Sequence, residues 1–141
     1  MPKNIKLAFK PEIEYQLIGI SSHENDYHLS WSINQNIGFN LVRSNNLSIF
    51  NKQLGEQQEF SVFSFDNEDN FLLFNLISNT GANGFLFPEM RNIDFFLQIY
   101  GESDDKFILK LIIKLNRIDI INTSFVIDPK SLKVPEKLLF N

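Results

Sequence analysis

From Glu59 to Gly101 the chain alternates between apolar runs and short polar clusters. Residues 59–78, EFSVFSFDNEDNFLLFNLIS, place two apolar runs around a DNEDN cluster, which predicts a hairpin. SNTGANG at 78–84 is a second turn cluster. In 93–100 an extended chain puts Ile93, Phe95, Leu97 and Ile99 on one side and Asp94, Phe96, Gln98 and Tyr100 on the other. Gly101 ends that strand.

Elsewhere the period changes. In YHLSWSINQNIG, Leu29, Ile33 and Ile37 form one stripe at spacing four, and Tyr27, Trp31 and Asn34 form another. This predicts an amphipathic helix that ends near Gly38, with Ser22, Asn25 or Asp26 as its cap. Ser103 and Asp104 can cap a second helix over 106–117, where Phe107, Leu111 and Leu115 lie beside Ile108 and Ile112. That apolar face is broad enough to require packing across a sheet.

The remaining segments are shorter. NIKLAF (4–9) reads as an edge strand. Pro11, Glu12 and Glu14 suit the first turn of a helix over 11–21, although IEYQLIGI also alternates as a strand would. FNLVR (39–43) and LSIF (47–50) flank a Ser44-Asn45-Asn46 turn, and NKQLGEQQ (51–58) reads as a polar loop. IDIINTSFVI (118–127) is a last strand. Asp128-Pro129 then opens a C-terminal segment of one or two helical turns. Strands adjoin in hairpins more than they alternate with helices. The expectation is one α+β domain over 1–141, with a largely antiparallel sheet of five to six strands and two to three helices.

Size and composition fit that expectation. The chain has 141 residues, 43% of them apolar and 21% charged, enough to bury a core without staples. There is no cysteine, hence no thiol chemistry and no Cys-ligated metal. No apolar run approaches a membrane helix, and the N-terminus does not resemble a secretory signal. A cytoplasmic location fits best. The net charge is −4 and uneven: residues 51–101 hold 2 Lys/Arg against 7 Asp/Glu. That middle third would repel a phosphate backbone, which argues against nucleic acid as a partner.

Candidate chemistry is sparse. His23 and His28 are the only histidines, and their spacing of five does not put them on one helix face. GANG at 81–84 lacks the Lys and the helix of a phosphate loop. Asp66, Glu68 and Asp69 lack the pattern of a calcium loop and read as a solvated hairpin tip. Glu89 and Asp94 are the remaining carboxylate pair, and structural roles weigh more than acid–base work. Glu89 could accept backbone N–H groups beside Pro88. Asp94 could pair with Arg91 or with a lysine of the late helix. No catalytic residue, metal ligand or cofactor is called for.

The segment FPEMRNIDF (87–95) resembles the motif that names the bacterial IPExxxVDY family. Pro88, Glu89 and Asp94 match it, while Phe87, Ile93 and Phe95 stand in place of Ile, Val and Tyr. LIGISSHENDYHLSWSIN (17–34) and LISN (76–79) also look familial. The resemblance implies a small cytoplasmic protein without assigned activity. The missing Tyr hydroxyl at 95 argues against chemistry that would need it.

The aromatic surplus gives the functional expectation. Runs such as FLLF and DFFLQIY are apolar on both faces of a strand, so the face away from the helices also needs a cover: a helix, the C-terminal segment or another protein chain. The leading expectation is a non-enzymatic protein-binding or adaptor domain, its partner including a second copy of itself, that uses Phe87, Pro88, Glu89, Arg91, Ile93, Asp94, Phe95, Phe96 and Tyr100. A ligand-binding or enzymatic site built on Glu89 and Asp94 with His23 or His28 is the alternative. An RNA-associated role for Lys106, Lys110, Lys114 and Arg117 ranks third.

Overall fold

The first helix forms as its end signals demand. Asn25 caps it, its side chain accepting from the backbone N–H of His28 at 2.8 Å, and Gly38 closes it in the left-handed region at φ 85°. The computed structural model of the chain describes residues 15–139. Its elements are β1 (Tyr15–Ser21), α1 (Asp26–Ile37), β2 (Val42–Arg43), β3 (Leu47–Asn51), β4 (Glu56–Phe60), β5 (Val62–Asn67), β6 (Leu72–Ser78), β7 (Thr80–Gly81), β8 (Gly84–Phe85), β9 (Phe95–Tyr100), α2 (Asp105–Asn116) and β10 (Thr123–Ile127). Asp104 caps α2 by accepting from the Phe107 N–H at 2.8 Å.

The fold is α+β. Six strands form an antiparallel sheet in the order β10-β1-β9-β6-β5-β2, and β3–β4 and β7–β8 form two small hairpins apart from it. The expected hairpin within 59–78 is β5–β6, with Val62 opposite Ile77 and Asn67 opposite Leu72. Ile18, Ile20, Phe74, Leu76, Phe95, Leu97 and Ile99 face the two helices, where Leu29 and Ile33 of α1 and Ile108, Leu111 and Leu115 of α2 complete one core. The helices bury what their period predicts, and each buried Leu or Ile contributes about 1.5–3 kcal/mol.

The other sheet face is covered too. Leu17, Val62, Ile77, Phe96 and Ile127 meet Leu47 and Phe60 of the β3–β4 hairpin, Leu86, Phe87 and Ile93 of the β8–β9 connection, and Leu132 and Leu138 of the C-terminal segment. That segment is two 3-10 turns, Pro129–Ser131 and Pro135–Leu138. The second cover required by the doubly apolar strands is therefore supplied from within the chain.

Several sequence expectations need correction. Residues 15–21 are a strand, not the end of a helix, because β1 is paired on both sides, with β10 and β9. The edge strand expected at 4–9, and residues 11–14 of the helix expected over 11–21, lie outside the described residues. The polar stretch 51–58 is not all loop: Glu56–Phe60 pairs with β3. Segments 39–43 and 47–50 do not pair with each other, since β2 joins β5 and β3 joins β4. Ile93 does not share a side with Phe95, because the strand starts only at Phe95 and Ile93 turns into the second core. Residues 118–122 form turns in which the Ile118 N–H bonds the Leu115 carbonyl and the Ile121 N–H that of Ile118, so the last strand starts at Thr123.

Candidate functional site

The FPEMRNID segment is a loop held from beneath by one buried amide. Pro88 opens a 3-10 turn over Pro88–Met90, as its fixed φ favours. Asn79 is fully buried under it. Its side chain donates to the Met90 carbonyl at 3.0 Å and to the Ile93 carbonyl at 2.8 Å, and it accepts from the Phe87 N–H at 2.8 Å. Its backbone donates to the Asp94 carbonyl at 2.9 Å and accepts from the Leu86 N–H at 2.7 Å. In sequence, Asn79 looks like one more turn residue within SNTGANG; only the tertiary arrangement exposes its role.

The motif's two carboxylates serve different seams. Asp94 Oδ2 accepts from the Ser22 N–H at 2.8 Å, and Ser22 Oγ donates to the Ile120 carbonyl at 2.6 Å. This ties the end of β1 to the start of β9 and to the turn before β10. The expected pairing of Asp94 with Arg91 or a lysine is replaced by this backbone bond. Glu89 Oε2 does accept a backbone N–H, but from Lys133 in the C-terminal segment, at 3.1 Å. The Arg91 guanidinium stacks over the Phe85 ring, 5.3 Å from its centre.

Of the candidate residues, Phe87, Ile93, Phe95 and Phe96 are buried, Asp94 and Tyr100 are half-buried, and Pro88, Glu89 and Arg91 are exposed. The four buried aromatic and aliphatic side chains are core, not surface. Phe87 and Phe96 pack edge to face at 5.3 Å.

A polar ladder runs beneath the C-terminal cover. Ser64 Oγ donates to Asn75 Oδ1 at 2.6 Å, Asn75 Nδ2 to Gln98 Oε1 at 3.0 Å, and Gln98 Nε2 to the Leu138 carbonyl at 2.7 Å. The Tyr100 hydroxyl donates to that same carbonyl at 3.0 Å, and the Tyr15 hydroxyl to the Pro135 carbonyl at 2.8 Å. Burial raises the Tyr15 phenol well above its ordinary value, and the nearby Tyr100 and Glu136 add to the effect. Burial also raises that of Tyr100, partly offset by the Gln98 amide. On the β3–β4 hairpin, hydrogen bonds from Asn46 and then Ser48 lower the Glu59 carboxyl.

Two surface clefts bear on function. One, of about 430 Å³, is lined by Ser22, His23, Glu24, Asp26 and Asp94 among others. Neither Glu89 nor His28 lines it, and His28 Nδ1 instead meets Glu24 Oε1 at 2.7 Å. No group of three or more His, Asp or Glu suited to a metal ion occurs among the described residues. The other cleft, of about 420 Å³, is lined by Tyr27 and Trp31 of α1 and by Leu41, Val42, Arg43 and Phe63 beside it. Tyr27 is 70% and Trp31 52% exposed. The Arg43 guanidinium lies 5.7 Å from the centre of the Phe63 ring and bonds the Ser44 carbonyl and the Asn46 side chain. Lys106, Lys110, Lys114 and Arg117 are exposed along α2, with Asp104, Asp105 and Asp119 around them.

No helix among the described residues is long and apolar enough to cross a membrane. Compared with known proteins, the chain matches no family model, no curated protein and no solved structure.

Proposed function

We propose that the chain is a non-enzymatic protein-binding module and that its docking surface is the groove formed by Tyr27, Trp31 and Arg43. The observation that carries this reading is the pair of exposed aromatics one turn apart on α1, sharing a cleft with a guanidinium already fixed in place. Tyr, Trp and Arg dominate binding energy at protein interfaces, because each offers a large, stiff contact with a polar end. Arg43 loses little freedom on binding, since its own hydrogen bonds hold it. The FPEMRNID segment enters this reading as scaffold, and its likeness to the IPExxxVDY motif is read the same way: a device that seats the β8–β9 connection.

The test is capture of partners by the full chain in parallel with Tyr27→Ala and Trp31→Ala variants, quantified by mass spectrometry. A stoichiometric partner lost from both folded variants is expected. A partner retained by both removes the groove from consideration. If no partner is found, binding of small ligands at the Ser22–His23–Asp94 cleft becomes the reading to pursue, because His23 and Asp94 line one surface there. Its check is a ligand-induced rise in melting temperature that His23→Ala abolishes.

A further inference from the structure

The C-terminal cover lies on the second sheet face as a bound peptide would. Leu132 and Leu138 are buried in the second core, while Lys133, Val134 and Glu136 between them stay exposed. The body of the protein holds this segment by its backbone. Gln98 Nε2 and the Tyr100 hydroxyl donate to the Leu138 carbonyl at 2.7 and 3.0 Å, and the Tyr15 hydroxyl donates to the Pro135 carbonyl at 2.8 Å. Glu89 Oε2 accepts the Lys133 N–H at 3.1 Å. One polar side chain of the segment answers: Lys137 Nζ donates to the Leu86 carbonyl at 2.8 Å and lies 5.3 Å from the centre of the Phe87 ring.

A mere cover would need only apolar surface beneath it. This floor carries a fully buried Gln98 and two phenols, and burying such groups without partners is costly. The ladder behind Gln98 fixes its orientation. Asn75 Oδ1 accepts from Ser64, so Asn75 Nδ2 donates to Gln98 Oε1 and the Gln98 amide hydrogens face the segment. The donors of the floor thus meet main-chain carbonyls, which every peptide has. The leucine pockets and the lysine contact choose among peptides. Main-chain bonds for affinity and side-chain pockets for selection are how extended segments are recognised between proteins.

We propose that this face is a peptide-binding groove, held closed by the chain's own C-terminal segment. The ligand it takes from a partner is a segment of the same chemistry: two leucines six positions apart, with a lysine directly before the second, as in Leu132, Lys137 and Leu138. The seated segment supplies that description, since its contacts are the ones a ligand would make. Tethered behind β10, the segment competes at a high local concentration, and a partner's segment binds by displacing it. The groove lies on the sheet face opposite α1, so it stands or falls independently of the Tyr27–Trp31 site.

The probe is a synthetic peptide of residues 129–141, labelled at its N-terminus and followed by fluorescence anisotropy. It is titrated with two forms of the full chain: wild type, and Leu138→Asp, which seats its own segment poorly. The variant is expected to bind the peptide at micromolar concentration, and the wild type about tenfold or more weakly, because its own segment competes. Adding Gln98→Ala to the Leu138→Asp chain should weaken binding about tenfold. A peptide that itself carries Leu138→Asp should bind neither form. No binding by a folded Leu138→Asp chain overturns the proposal, as does equal binding by both forms or binding indifferent to Gln98. Should circular dichroism show that the variant does not fold, the wild type decides. With millimolar peptide, trypsin should cleave the chain's own residues 129–139 several-fold faster than with the Leu138→Asp peptide, and an equal rate overturns the proposal.

Discussion

The side-chain carbonyl of Asn79 accepts the backbone N–H of Phe87 at 2.8 Å while its amide nitrogen holds the Met90 and Ile93 carbonyls. One buried side chain thereby bonds three backbone groups of the loop, and for two of them, the Phe87 N–H and the Ile93 carbonyl, it stands in for the sheet ladder or helix bond they lack. The loop in turn delivers Phe87 and Ile93 to the second core. Polar satisfaction and apolar packing here depend on the same residue.

Asn79→Ala should therefore be among the most damaging single changes. It strands the Phe87 N–H and the Ile93 carbonyl, while the Met90 carbonyl keeps the Ile93 N–H; each stranded group costs about 1–3 kcal/mol, though not additively. A loss of about 3 kcal/mol or more in urea unfolding is expected. A loss below about 1 kcal/mol would mean that the loop is held chiefly by its apolar side chains.

Asp94 and Glu89 should separate cleanly. The Asp94 bond to the Ser22 N–H is partly buried and charge-assisted, so Asp94→Ala should cost about 2 kcal/mol. The Glu89 bond to Lys133 is exposed, so Glu89→Ala should cost about 0.5 kcal/mol or less. Equal losses in parallel denaturation curves would contradict these roles.

What could be read from the sequence was what local physics decides. The β5–β6 hairpin and both helices follow from period, caps and turn residues, each acting within a few positions. β4 escaped because EQQEF has no apolar run; its strand state comes from pairing with β3, which buries only Gln58 and Phe60. β1 was ambiguous because Pro11 and the acids before it imitate a helix start, while the partners that make it a strand, β9 and β10, lie far along the chain. The same limit hid the Asn79 pin and the C-terminal cover, both built from long-range hydrogen bonds. It also made Phe87, Phe95 and Phe96 look like surplus surface when the chain covers them itself. Tyr27 and Trp31, two of the exposed aromatics, were visible as a stripe but not as a site.

Gly101 sits at φ 113°, and a Cβ there would lie 2.6 Å from the Phe71 carbonyl oxygen. Gly101→Ala meets both backbone strain and a backbone clash, so it should cost about 3 kcal/mol or more. Gly38→Ala, at φ 85° with open space around it, meets strain alone and should cost about 1 kcal/mol. Thermal unfolding of the two variants side by side checks the order.

The polar ladder should control how firmly the C-terminal segment lies on the sheet. Gln98→Ala removes the donor to the Leu138 carbonyl and leaves the Asn75 amide without its acceptor. Limited proteolysis should then cleave within 129–139 at least several-fold faster than in the wild type, ahead of global unfolding. Cleavage at an unchanged rate would assign the hold on this segment to Leu132 and Leu138.

Alkaline pH should act through the same segment. The Tyr15 and Tyr100 hydroxyls donate to the Pro135 and Leu138 carbonyls, and a phenolate cannot donate. Both groups titrate above their ordinary value of 10.0 in the folded chain. The folded state therefore holds protons that the unfolded state releases once the pH passes 10.0, and stability must fall as the pH rises further. Below that pH neither phenol makes stability depend on pH. Melting temperatures measured from neutral pH upward should show a decline in the wild type that is shallower in the Tyr15→Phe, Tyr100→Phe double variant, although the variant starts lower through its lost hydrogen bonds. Parallel curves for the two proteins would show that these phenols do not couple proton release to the seating of the C-terminal segment.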